Sequence, residues 1–159
     1  MGIIISSFTG CGREYLKNIY GDKVKIFDAV AEFPLTEIDE TENNDALESC
    51  FNKVMTSVDD NDIVFIGAST AIRNYFNENN VDYDLFYPSA DRRGEFIENL
   101  VRKRTPPKEI QKLDRNFEKW VQAIDDDESP NCYKHKLTNK GEYIGNTPII
   151  MQYINSLKQ

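Results

Sequence analysis

The chain has 159 residues, 40% of them hydrophobic and 29% charged, and a net charge of −8; that length suits one domain with a full core. No run approaches the roughly 18 to 20 apolar residues of a membrane span. MGIII lacks the basic region and cleavage site of a signal peptide, and the acidic balance argues against binding a nucleic-acid backbone. Cys11, Cys50 and Cys132 form no CxxC pair and His135 is the sole histidine, which leaves no zinc pattern and suits a reducing cytoplasm.

The first strand is predicted at 2–6 (GIIIS), followed by the small-residue loop SFTGCG and a helix opening REYLKNIY. A second strand follows at 23–28 (KVKIFD), a third at 62–67 (DIVFIG), a fourth at 82–87 (DYDLFY) and a weaker fifth at 132–138 (CYKHKLT). The first and third are nearly continuous apolar runs, the pattern of strands buried on both faces. Between them, Leu47, Cys50, Phe51, Val54, Met55 and Val58 line one face of a helix near 44–58. Ile72, Tyr75 and Phe76 mark a shorter helix, and Phe96, Ile97, Leu100 and Val101 mark one near 91–104. The longest helix is predicted at about 107–125, with Ile110, Leu113, Phe117, Val121 and Ile124 inward and Pro106 and Pro107 at its start. A last helix at 147–157 would take Asn146 as its N-cap. Strands alternating with helices predict a three-layer, doubly wound, mostly parallel five-stranded α/β sheet in a single domain spanning 1–159. In such sheets ligands bind beyond the carboxyl ends of the strands. SSFTGCGR, DAVAEF, GASTAIR and YPSADRR therefore hold the candidate site.

Residues 7–14, S-F-T-G-C-G-R-E, occupy the frame of a P-loop, G-x-x-x-x-G-K-[ST], between a strand and a helix. The backbone of Thr9, Gly10, Cys11, Gly12, Arg13 and Glu14 would surround phosphate, as the N–H groups of such loops do. The letters depart at three places: Ser7 for the first Gly, Arg13 for Lys and Glu14 for the Mg²⁺-binding hydroxyl. A guanidinium holds phosphate bidentately but is bulkier than an ammonium. A carboxylate at 14 suits the helix dipole, yet repels nucleotide phosphate unless a cation intervenes. A glycine-rich turn without a ligand explains the same letters.

SSFTGCGREYLKNIYGDKVKIFDA resembles the opening of small phage-encoded, nucleotide-kinase-like P-loop proteins of the nucleoside monophosphate kinase superfamily. DIVFIGASTAIRNYFNENNVDYDLFYPSADRRGEFIENLVRKR resembles their third strand, short helix, YPS-ended fourth strand and arginine-bearing lid, and KLTNKGEYI their closing strand. The resemblance implies an ATP- and Mg²⁺-dependent transfer of a terminal phosphoryl group to a nucleotide or similar acceptor, in the host cytoplasm if the protein is phage-encoded. It places Asp28 and Arg73 at the acceptor and Arg102 and Arg104, from a lid-like segment at about 89–108, over the transition state, with Arg13 on the donor phosphates. Arginines so placed would stabilise charge on the transferred group. The third strand ends in Ser69 and Thr70 rather than in the acid that often completes a magnesium site. Residues 29–52 carry seven acids (Glu32, Glu37, Asp39, Glu40, Glu42, Asp45, Glu48) and no Lys or Arg, so this acceptor-side segment could equally face a basic host protein. Three readings stay open: a nucleotide kinase, an inactive pseudo-kinase that keeps a nucleotide, and an acidic interaction protein.

Overall fold

The computed structural model describes residues 2–32 and 44–157. Five strands, β1 (Ile3–Ser7), β2 (Ile26–Asp28), β3 (Ile63–Gly67), β4 (Tyr83–Pro88) and β5 (Cys132–Leu137), form one sheet in the order β2-β3-β1-β4-β5. Every pairing is parallel, with Ile5 opposite both Phe65 and Asp84, and Phe86 opposite His135. The predicted doubly wound sheet is the one found. All five β3 residues are buried, as are Ile4 to Ser7 of β1; this is the burial that their continuous apolar runs imply.

The helices are α1 (Arg13–Tyr20), α2 (Ala29–Glu32), α3 (Asn44–Ser57), α4 (Thr70–Glu78), α5 (Arg93–Arg102), α6 (Pro107–Asp125) and α7 (Pro148–Ser156). The connection from β1 to β2 runs one way along the sheet, and the later connections run the other way. Right-handed crossovers therefore put α1 on one face and α3, α4 and α6 on the opposite one. The direction changes between β1 and β4, which makes the crevice beyond their carboxyl ends the switch point of the fold.

Several local expectations need correction. The second strand is shorter than 23–28, because the N–H groups of Lys23 and Val24 bond the Tyr20 carbonyl and spend that stretch closing α1. DAVAEF is not all loop. Asp28 accepts a 3.1 Å hydrogen bond from the Ala31 N–H and so caps α2, as a carboxylate at that position does. Met55 stands at the exposed edge of the α3 stripe, and Val101 is likewise exposed, whereas Trp120 joins the buried face of α6. Asn146 does not cap α7: its side chain accepts from Tyr143 N–H and donates to Gly141 O, closing the 141–146 turn, while Thr147 takes the N-cap position.

Phe117 of α6 packs edge-on against Phe8 (centroids 5.3 Å) and Phe96 of α5 (5.8 Å), all three fully buried. Phe8 belongs to the segment after β1, and Phe96 packs close to Gly10 of the same loop. Among the described residues no helix is long and apolar enough to cross a membrane.

Candidate functional site

The loop after β1 is held from both sides. Phe8 N–H bonds Phe86 O of β4 at 3.1 Å, Cys11 N–H turns back to Phe8 O, and Cys11 O accepts from Ile144 N–H at 2.9 Å. Cys11 itself is buried, its thiol directed to Phe86 O. Gly10 and Gly12 sit at φ 88° and 96°, a backbone region that side chains disfavour. Gly12 occupies the N-cap of α1 and offers no side chain to the first-turn N–H groups, which have no intrahelical acceptor. The loop borders a cleft of about 610 Å³ lined by Ser7, Thr9 to Glu14, Val30, Leu100, Lys103, Thr105, Glu109 and Lys112.

The loop's own charges are already paired. Arg13 Nε donates to Asp28 Oδ2 at 2.7 Å, and Lys17 Nζ reaches the same oxygen at 3.0 Å. Lys17 also contacts Glu14 at 3.3 Å, and an Arg13 Nη lies 3.7 Å from Glu14. Adjacent residues on a helix rarely face one another; here the long side chains meet because both turn toward Lys17 and Asp28. Burial pushes the Asp28 carboxyl up, but the Arg13 charge and the Lys17 hydrogen bond outweigh it and hold Asp28 below its ordinary range. Burial likewise lowers Lys17, yet its bonds to Asp28 and Glu14 win and raise it.

The other sequence candidates lie elsewhere. Arg73 is a buried tie rather than a surface arginine. Its Nε donates to Ala68 O (3.2 Å), one Nη to Thr70 (3.1 Å) and the other to Asp127, joining the end of β3 to the turn before β5. Ser69 caps α4 by accepting from Ile72 N–H. Arg102 is exposed and 3.8 Å from Glu98, and neither it nor Arg104 lines the cleft. The reason is the end of α5. Arg104 N–H bonds Val101 O and Thr105 N–H bonds Leu100 O, a Schellman closure with Arg104 in the left-handed region at φ 59°. That reversal brings Lys103 and Thr105 to the cleft. Glycine is the usual residue at such a position. Arg104→Gly is therefore expected to stabilise the fold by about 0.5–1 kcal/mol, the relieved strain being partly offset by the freer unfolded chain; a urea midpoint that stays put or falls refutes the assignment.

Within the 89–108 segment, Arg92 makes several fixed contacts. Arg92 is buried and grips Glu95 with two nitrogens (3.1 and 2.6 Å) while donating to Glu142 O (2.7 Å) and Leu137 O (3.3 Å). Its guanidinium lies about 5 Å from the ring centres of Phe96 and Tyr143. Glu95 also accepts from Gly141 N–H (3.1 Å) and from the Tyr143 hydroxyl, to which Asn99 donates. Those two rings are the walls behind the loop: a Cβ on Gly10 would lie 3.1 Å from Phe96, and one on Gly12 2.9 Å from Tyr143. Of the acidic stretch, Glu37, Asp39, Glu40 and Glu42 lie outside the described residues, and Glu32, Asp45 and Glu48 fall on α2 and α3.

Three cations, Arg13, Lys103 and Lys112, line this cleft, which suits an anion. The fit to Mg²⁺ is poorer. Position 14 brings no hydroxyl, Glu14 is engaged by Lys17, and Asp28 already answers two cations. Among the described residues no group of three or more His, Cys, Asp or Glu side chains converges.

Taken together, a five-stranded all-parallel sheet, helices on both faces and a glycine loop between β1 and α1 give a doubly wound, three-layer α/β architecture. No protein-family model matches the sequence, and no curated protein matches it. Among solved structures, an uncharacterized protein from Eubacterium ventriosum is 15% identical, with 98% of this chain and 99% of that one aligned at a TM-score of 0.48. A shikimate kinase from Bacteroides thetaiotaomicron is 13% identical, over 99% of this chain and 96% of that one, at 0.47. Likenesses this distant assign no substrate.

Proposed function

We propose that this chain is a P-loop kinase-like protein whose loop cleft binds the phosphates of a nucleotide such as ATP. The observation that carries the reading is the cleft itself. About 610 Å³ of space opens on the N-terminus of α1, between loop residues 9–14 and the ends of α5 and α6, at the switch point where open parallel sheets take ligands. Amide N–H groups and the helix dipole favour an anion there.

Two versions of this reading differ in chemistry. As a kinase, the protein would pass the terminal phosphoryl group of ATP to a nucleotide acceptor beside Asp28. As a pseudo-kinase, it would hold the nucleotide without transfer. The Arg13–Asp28 contact at 2.7 Å favours the second, because the residue in the P-loop Lys position already has a carboxylate partner. Losing such charge stabilisation costs several kcal/mol of barrier.

The experiment is a melting curve with ATP, with adenosine and with matched salt, followed by ATP consumption over a nucleotide panel. Binding at a hundredfold excess over Kd adds about 2.7 kcal/mol, worth about 5–10 °C at this chain length. ATP should raise the melting temperature and adenosine should not. Turnover with any acceptor selects the kinase, and a shift without turnover selects the pseudo-kinase. Equal melting under all conditions removes the nucleotide reading.

A further inference from the structure

We infer that Lys103 and Lys112, delivered by the end of α5 and the second turn of α6, take over the anion-gripping role that the loop's own cation has given up. This rests on the nucleotide-phosphate reading above and names the residues that would make it work. Three cations line the cleft: Arg13, Lys103 and Lys112. Arg13 is bound to Asp28 at 2.7 Å and lies near Glu14 at 3.7 Å, so a phosphate could recruit it only by competing with a carboxylate that also answers Lys17. Among the described residues, neither Lys103 nor Lys112 has a carboxylate within ion-pair distance, although Glu109 shares the cleft wall. Both lysines border the same cleft as the loop.

Their placement is fixed by backbone geometry. Lys103 is the C-cap of α5, its N–H bonded to Asn99 O and Val101 O, and the Schellman closure behind it turns the chain so that residues 103 and 105 border the cleft while 104 does not. Lys112 precedes Leu113, which is fully buried in the α6 face, so the anchored neighbour holds Lys112 at the rim. Both lysines are exposed and long enough to follow an anion. An ammonium binds phosphate as a compact point charge with freely rotating donors, which suits a ligand entering between two walls. The ligand class is a polyphosphate of a nucleoside: loop N–H groups meet one phosphate and the two lysines span its neighbours from the opposite wall.

The test is ATP affinity by calorimetry at low and moderate salt, for the wild type, Lys103→Gln, Lys112→Gln and Arg13→Gln, with a melting curve of each variant in buffer to verify folding. A charge-assisted hydrogen bond to a phosphate is worth roughly tenfold or more in affinity. Each lysine variant should weaken ATP by about that factor and flatten the salt dependence. Arg13→Gln should lose less than either. Wild-type binding that survives both lysine substitutions, or that depends mainly on Arg13, overturns this inference and leaves the nucleotide reading standing. Absence of ATP binding in the wild type overturns both.

Discussion

Replacing Arg92 with methionine should lower the unfolding free energy by about 3 kcal/mol, the low end of what breaking a buried ion pair costs. Methionine keeps much of the packing against Phe96 and Tyr143, but Glu95 loses a two-pronged partner and the Glu142 carbonyl loses its Arg92 donor, while the Leu137 carbonyl keeps only Ser89 N–H. A buried acceptor left unsatisfied carries its full desolvation cost. The measurement is a urea midpoint, with Glu95→Gln and the double variant completing a cycle. Nearly additive losses would mean that Arg92 acts through ring packing and not through Glu95.

The same pair has a pH signature. Glu95 is lowered from 4.5 to about 2, first by the Arg92 hydrogen bonds and then by Tyr143 and Gly141, with burial opposing them. A carboxyl whose folded pKa is depressed contributes stability that is present above its unfolded pKa and lost as pH falls toward the folded one. The melting temperature should therefore drop between about pH 4.5 and about 2 more steeply in the wild type than in Glu95→Gln. Parallel profiles would remove Glu95 from the acid response.

Why the sheet was readable and half of the site was not comes down to what a linear pattern encodes. IIISS and IVFIG are buried on both faces, and a strand in that position can carry only apolar or small residues, so their runs announce themselves. The loop frame was legible for the same reason: Gly10 and Gly12 answer a backbone requirement that no other residue meets cheaply. Cations are different. Lys17 reaches Asp28 across eleven positions of sequence, and Arg92 meets Glu142 across fifty; their partners exist only once the crossovers are made. The resemblance places Arg102 and Arg104 over the transition state, yet a single left-handed residue after Lys103 decides which side chains border the cleft. Arg73 could be placed near the end of β3 from spacing, but its burial depends on Asp127, which arrives from the far end of α6.

Gly12 should prove the least replaceable residue of the loop. Two costs add for Gly12→Ala. A side chain at φ 96° costs about 1–2 kcal/mol, and a Cβ there would sit 2.9 Å from the Tyr143 Cβ, an overpacking worth about 1–3 kcal/mol. Tyr143 cannot retreat easily: its hydroxyl is tied to Glu95 and Asn99, and Ile144 N–H is bonded back to Cys11 O. The expected loss is about 2–5 kcal/mol, together with loss of any ligand-induced stabilisation, since the same movement displaces the N-terminus of α1. Gly141 supplies the control. It is also left-handed, at φ 78°, but its added Cβ would meet nothing within 4 Å, so Gly141→Ala should show the backbone cost alone, about 1–2 kcal/mol. Measured against Tyr143→Gly, which removes that Cβ, adding Gly12→Ala should cost only the backbone strain, about 1–2 kcal/mol. If the two glycine variants are equally destabilised, the loop is not braced by Tyr143, and the wall assigned to the cleft must be sought elsewhere.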